Sequence, residues 1–224
     1  MHFPLLLSTF LVLCLGYKAF DHSFYQGDVQ KSSYECLRRE GYSYGVIQAQ
    51  RHLGLNPYFP DNFRRARAAG LPIDIYMFPD KRQDGTIQAR TLVEWLKSEN
   101  VLTNQTIFVD IEDTNRFLPT VEENVRFVHD IVNELNRLHK GCGRSSCVGI
   151  YASKVQWDNI MTGNTDFKDY PLWYPHYDMN PSFDDFVSFG GWNKDMVVMK
   201  QFKGTTNACK TQIDLNYYEK KWWM

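Results

Sequence analysis

The sequence predicts an α/β chain folded as a single-domain, irregular (β/α) barrel of the TIM-like kind. Strand-forming runs alternate with amphipathic helical stretches, which implies parallel strands with helices outside them. Six to eight strand signals fall within 224 residues, a length suited to one domain with a full core. The runner-up, an open doubly wound sheet, lacks support as a nucleotide-binding fold, because no Gly-rich phosphate loop follows the early strands.

The elements follow in order. Residues 44–50 form the first β-rich run. Residues 61–69 read as a helix: Asp61 is placed to cap it, Phe63, Ala66 and Ala69 share a face, and Gly70 ends it. Residues 72–78 alternate Ile73, Ile75 and Met77 as a strand, and residues 86–98 place Ala89, Leu92, Val93 and Leu96 on one helical face. Thr120-Val-Glu-Glu123 is a capping box opening a long helix, with Val121, Val125, Val128, Val132 and Leu135 at helical spacing. Residues 148–152 (strand), 155–160 (short helix), 172–177, 197–202 and 213–217 (strands) complete the chain, which is short of helices near its C-terminus.

The chemistry is expected at residues 107–114, Ile-Phe-Val-Asp-Ile-Glu-Asp-Thr. Side chains two apart on a strand face the same way, with Cα atoms roughly 6.5–7 Å apart. Asp110 and Glu112 thus stand side by side at the C-terminal end of a strand, where barrels of this kind bind ligands. Two neighbouring carboxyls that titrate apart are what cleavage of a glycosidic bond needs. The spacing lies between the separations that distinguish retention from inversion, so both outcomes stay open.

Lys plus Arg number 25 and Asp plus Glu 26, a net charge of −1, which argues against nucleic acid as a partner. Aromatics make up 15% of the chain, available to a sugar-binding cleft and to a core alike. Residues 5–15 are apolar but for Ser8 and Thr9, too short for a membrane span and suited to a secretory signal over residues 1–19, cleaved after Gly16 or Ala19. The mature domain, residues 20–224, is expected to be secreted and extracellular, with no membrane association, and to act as a monomer. Export removes Cys14 and leaves Cys36, Cys142, Cys147 and Cys209, for which three connectivities exist. Cys142–Cys147 closing a Gly-Arg-Ser-Ser loop, with Cys36–Cys209 tying the ends of the domain, is the favoured pairing. These cysteines lack a Cys-x-x-Cys pair, and His22, His52 and His129 fit no metal spacing, so neither metal nor cofactor is expected. Asn104-Gln-Thr is a glycosylation acceptor.

Six short motifs, in order, carry a resemblance over essentially the whole mature chain. They are Asp21-His-Ser23-Phe-Tyr-Gln26-Gly27; Asn56-Pro-Tyr-Phe59, Asn62 and Ala69-Gly-Leu-Pro72 with Tyr76-Met-Phe78; Asp110-Ile-Glu112; Tyr151-Ala-Ser153 with Trp157; Leu172-Trp-Tyr-Pro-His-Tyr177; and Asp214-Leu-Asn216. Together they resemble the glycoside hydrolase family 25 lysozymes. Asp178-Met-Asn-Pro-Ser-Phe183 and Phe189-Gly-Gly-Trp192 resemble their animal branch. The resemblance implies a flattened barrel that hydrolyses the β-1,4 bond between N-acetylmuramic acid and N-acetylglucosamine in bacterial peptidoglycan, in defence or digestion. It aligns Glu112 with the general acid and Asp110 with its partner carboxylate. Asp21 and Asp214 align with the other cleft acids, and Tyr76, Trp173 and Tyr177 with substrate-binding aromatics. On this reading Asp110 is ionised, raises the Glu112 pKa, and stabilises positive charge or orients the substrate's acetamido group.

Two departures qualify the resemblance. Arg51 stands where the family commonly has Glu, and a cation there would depress neighbouring carboxyl pKa values. Lys200-Gln201-Phe202 replaces Trp-Gln-Tyr, which would remove a sugar-stacking ring. Arg51 supports the competing reading of a carbohydrate-binding relative without activity. A chitinase is the other alternative, but Thr106 and Phe108 stand where its longer acidic signature would place Asp.

Overall fold

The computed structural model describes residues 16–143 and 146–219, so residues 1–15 of the expected 1–19 leader, its apolar run included, lie outside the described residues. Within them the strands are β1 (Tyr17–His22), β2 (Tyr42–Arg51), β3 (Gly54–Leu55), β4 (Ile73–Phe78), β5 (Ile107–Asp110), β6 (Val148–Tyr151), β7 (Leu172–Pro175), β8 (Val197–Ala208) and β9 (Thr211–Tyr218). The helices are α1 (Lys31–Arg39), α2 (Phe59–Ala68), α3 (Gly85–Ser98), α4 (Val121–Leu138) and α5 (Lys154–Met161). β1 pairs parallel with β2 and antiparallel with β9, which closes the sheet into an eight-stranded barrel, with β3 folded back on β2 outside the ring.

The barrel is mixed, not wholly parallel as the alternation implied. Strands β1, β2 and β4 to β8 run parallel, whereas β9 is antiparallel to both its neighbours. β8 and β9 join through Cys209 and Lys210, whose φ values of 53° and 66° are those of a two-residue turn that follows the twist of the strands. No helix can fit in so short a connection, which explains the poverty of helices near the C-terminus.

The period-two pattern of the strands sorts side chains between two cores. Ile107, Val109 and Ile111 face outward and pack with the helices, joining Leu92, Val93 and Leu96 of α3 and Val128, Ile131 and Leu135 of α4. Phe108 faces inward, into a second cluster with Tyr44, Tyr76, Tyr151, Trp173, Met199 and Tyr218. Trp173 is its hub, with ring centroids 4.5 Å from Tyr151, 5.6 Å from Phe108 and 6.1 Å from Tyr76. Gly149, paired with Phe108 across β5 and β6, leaves room for that ring; a Cβ there would fall 2.5 Å from it.

The four expected helices start within two residues of the sequence reading, and one expected cap differs. α2 begins at Phe59 with Pro60 in its first turn, so Asp61 lies inside the helix and pairs with Arg64 at 3.1 Å rather than capping. Thr120 caps α4 as expected, accepting from the Glu123 N–H. Both favoured disulfides are present: Cys36–Cys209 pins the β8–β9 turn to α1, and Cys142–Cys147 closes a short loop ahead of β6.

Candidate active site

β5 ends at Asp110, so Glu112 lies just beyond the strand instead of on it. The pleat nevertheless persists: the Ile111 N–H donates to the Tyr151 carbonyl at 2.8 Å and its side chain is buried outward. Asp110 and Glu112 therefore face the same way, into a cleft of about 100 Å3. All seven residues singled out for catalysis or substrate binding line it: Asp21, Tyr76, Asp110, Glu112, Trp173, Tyr177 and Asp214. The cleft sits at the C-terminal ends of the parallel strands. Asp214 joins it from β9, directly opposite Asp21 of β1.

Two further residues complete the lining, Tyr151 and Gln201. Their motifs were visible in the sequence, but their roles were not. The usable signal was alternation, since Gln201 stands two residues from the inward Met199 on β8. Gln201 organises the cleft through its amide. Its Nε2 donates to Asp21 at 2.8 Å and to Asp214 at 3.2 Å, and its Oε1 accepts from the Tyr151 and Tyr177 hydroxyls, each at 2.8 Å. Asn216 donates to Asp21 at 2.6 Å and accepts from the Trp173 indole N–H at 2.8 Å. The Thr205 N–H donates to Asp214 at 2.5 Å.

Burial is the leading cause of every carboxyl shift here. It raises Asp110 well above its ordinary value, with the charges of Glu112 and Asp21 adding to the effect. It likewise raises Asp21, reinforced by Asp214 and opposed by the hydrogen bonds from Asn216 and Gln201. Glu112, less deeply placed, is raised by burial and then by Asp113 and Asp214. Asp214 is raised by burial against the Thr205 hydrogen bond. Burial, and not the charge of Asp110, is the first cause of the raised Glu112 pKa, and it raises Asp110 as well. One Asp110 oxygen, Oδ1, is buried without a hydrogen-bond partner.

The two departures from the family pattern act differently from expectation. The Arg51 guanidinium lies 4.6 Å from the Tyr25 ring centroid and 5.5 Å from that of Phe24, and donates to the Tyr25 hydroxyl at 2.5 Å. It does not depress the cleft acids, all four of which are raised. Lys200 alternates with Gln201 and points out of the barrel, where its buried ammonium donates to Asp178 at 2.8 Å and Asp185 at 2.7 Å. A ring at position 200 would lie outside the cleft, so none is lost from it. His176 also belongs to this outer cluster, 2.5 Å from Asp185.

Four carboxyls and an aromatic floor at the C-terminal rim of an α/β barrel define a glycoside hydrolase. A family model described as lysozyme-like protein 1 matches residues 19–202. The probable glycoside hydrolase family 25 lysozyme 2 of Dictyostelium discoideum is 38% identical over 189 residues, covering 83% of this chain and 84% of its own. The chain belongs to the glycoside hydrolase family 25 lysozymes. Among solved structures, a family 25 lysozyme from Aspergillus fumigatus superposes with a TM-score of 0.72 at 21% identity, covering 92% of this chain and 95% of that one. The modular autolysin LytC of Streptococcus pneumoniae, solved with a synthetic peptidoglycan ligand, gives a TM-score of 0.69 at 12% identity over 91% of this chain and 46% of its own.

Proposed function

We propose that this protein is an exported muramidase that cleaves the β-1,4 bond between N-acetylmuramic acid and N-acetylglucosamine in bacterial peptidoglycan. The observation that carries the reading is the convergence of Asp110 and Glu112 on one cleft with Asp21, Asp214 and the Trp173 and Tyr177 rings. Glu112, its pKa raised by burial and by Asp113 and Asp214, donates its proton to the leaving glycosidic oxygen. Asp110 lines the cleft, and one of its oxygens, Oδ1, has no hydrogen-bond partner in the free protein. An acetamido N–H bound there favours the ionised form that the free cleft disfavours, so substrate binding itself would prepare Asp110 to stabilise positive charge at the anomeric carbon.

Export is supported by the apolar run at residues 5–15 and by two disulfides, which persist in oxidising compartments. Cleavage after Gly16 leaves β1 whole, whereas cleavage after Ala19 would remove three strand residues, Ala19 itself being fully buried. Among the described residues no helix is long and apolar enough to cross a membrane. Asn104 is exposed ahead of β5, open to glycan transfer. Defence against bacteria, or their digestion, is the role this chemistry would serve.

The test is lysis of purified bacterial walls by wild type and Glu112→Gln, with reducing ends counted from peptidoglycan and from soluble chitin oligomers. Loss of a positioned general acid should reduce lysis by about 10³-fold. A variant within tenfold of wild type would sink the assignment. Comparable cleavage of chitin would favour the chitinase reading. Wall binding without product from either polymer would favour an inactive sugar-binding protein.

A further inference from the structure

The charge reversal at position 51 serves no purpose inside the cleft, yet its surroundings are organised. Three residues after Asp21, the chain makes a short helical turn, Phe24–Gln26, held by Ser23 and Gln26 in a capping box. The Phe24 N–H is tied to the Gln48 side chain at 3.0 Å, and Gln48 is itself in register with the cleft residue Tyr76. Three residues beyond Gln48, Arg51 lies over the Phe24 and Tyr25 rings. The Tyr58 ring lies 5.6 Å from Phe24. Tyr25 is 72% exposed, Leu53 47% and Tyr58 38%, so an open aromatic shelf starts at the edge of the cleft.

Arg51 differs from the other arginines of this rim. Arg82 and Arg116 both pair with Asp80, at 2.9 Å and 3.0 Å. Among the described residues no carboxylate pairs with Arg51. Its charge rests on π-faces and on the Tyr25 hydroxyl, neutral partners that leave it uncompensated on a part-exposed residue. Stacking rings beside an uncompensated fork donor suit a sugar chain that carries carboxylates.

We propose that Phe24, Tyr25, Arg51 and Tyr58 form a peripheral subsite that takes a further stretch of the glycan strand, with Arg51 binding a carboxylate of its peptide stems. The proposal rests on the muramidase reading and adds to it a preference for anionic, peptide-bearing glycan over neutral glycan. Because the shelf lies outside the four acids, it acts on capture of the polymer and not on bond cleavage.

The test measures binding of the Glu112→Gln protein to insoluble peptidoglycan, alone and combined with Arg51→Gln, Arg51→Lys or Tyr25→Ala. Each is measured on intact peptidoglycan and on peptidoglycan whose carboxyls have been converted to amides. Arg51→Gln should weaken binding to the intact polymer by about two- to fivefold at low salt, the size of one charged contact at a surface. The loss should vanish on the amidated polymer and shrink as salt is raised. Arg51→Lys should recover part of it, and Tyr25→Ala should weaken binding to both polymers. These side chains are at the surface, and melting curves superimposable on the parent's establish that the variants fold. Unchanged binding by Arg51→Gln, or an equal loss on both polymers, overturns the inference and leaves the muramidase reading intact. A parent protein that does not bind peptidoglycan at all overturns both.

Discussion

Asp110→Asn should stabilise the protein at neutral pH while disabling it. The Asp110 carboxyl is almost entirely buried, one of its oxygens has no partner, and Glu112 and Asp21 stand near enough to oppose its ionisation. Its pKa in the folded protein is therefore above the ordinary value of 3.8 that it regains on unfolding. The sign follows from linkage. Below the unfolded pKa both states are protonated and there is no difference. As the pH rises above it, the unfolded chain loses its proton more readily than the folded one, and stability falls until the folded pKa is passed. Asparagine does not titrate, so the variant escapes this loss. Each unit by which folding raises this pKa costs about 1.4 kcal/mol of stability above it, and the asparagine amide escapes that cost because it does not ionise. A gain of about 2 kcal/mol at pH 7 corresponds to roughly 4–8 °C in Tm for a chain of this length. Urea and thermal unfolding at pH 4 and pH 7 give the answer. The reasoning fails if the variant is no more stable than wild type at pH 7, or if its gain is the same at both pH values.

Asp113→Asn isolates a charge. Asn tolerates the φ of 59° at this position and keeps the acceptor used by the Asn115 N–H, so the turn should survive. Removing the negative neighbour lowers the Glu112 pKa and should move the alkaline limb of the rate profile to lower pH. The shift should be about 0.3 units at low salt, since a part-exposed charge is screened; an unmoved limb, or a shift upward, counts against Asp113. The disulfides should differ in worth. With sequence separations of 173 and 5, loop entropy assigns about 5 kcal/mol to Cys36–Cys209 and about 2 kcal/mol to Cys142–Cys147. Paired Cys→Ser variants compared by urea unfolding test that order, and a larger loss from the short bridge would contradict it.

The parts of this fold legible in the sequence were those with local periodicity. α3 buries the residues its helical spacing selects, α4 buries Val128, Val132 and Leu135 but leaves Val121 and Val125 half-buried, and β5 alternates as its pattern requires. α1 was missed because its buried positions, Ser33, Tyr34 and Leu37, are too few and too polar to show a stripe. The antiparallel course of β9 was missed for a different reason. A strand's direction depends on what connects it to the last one, and the polar stretch between residues 202 and 213 hid a continuous hairpin. In the cleft, residue identity was readable by resemblance, but the burden of charge was not. Spacing alone puts Asp110 beside Glu112; only the closed barrel shows that Asp110 is deeper, and that Arg51 and Lys200 are turned to other partners.

That last arrangement has a chemical logic. Among the described residues, no lysine or arginine forms an ion pair with Asp21, Asp110, Glu112 or Asp214. The nearby cations are engaged elsewhere: Arg82 and Arg116 by Asp80, Lys200 by Asp178 and Asp185, Arg51 by aromatic rings. The cleft acids are held instead by neutral donors, the Gln201 and Asn216 amides and the Thr205 N–H. A guanidinium in place of the Gln201 amide would fix Asp21 and Asp214 as carboxylates, because an opposite charge at that distance favours ionisation. An amide orients a carboxyl with a weaker preference for its charged state. The acids then share few protons among them and can redistribute charge when substrate supplies a new donor to Asp110. A general acid works better as its pKa rises toward the working pH, and a cluster without fixed cations leaves the Glu112 carboxyl raised.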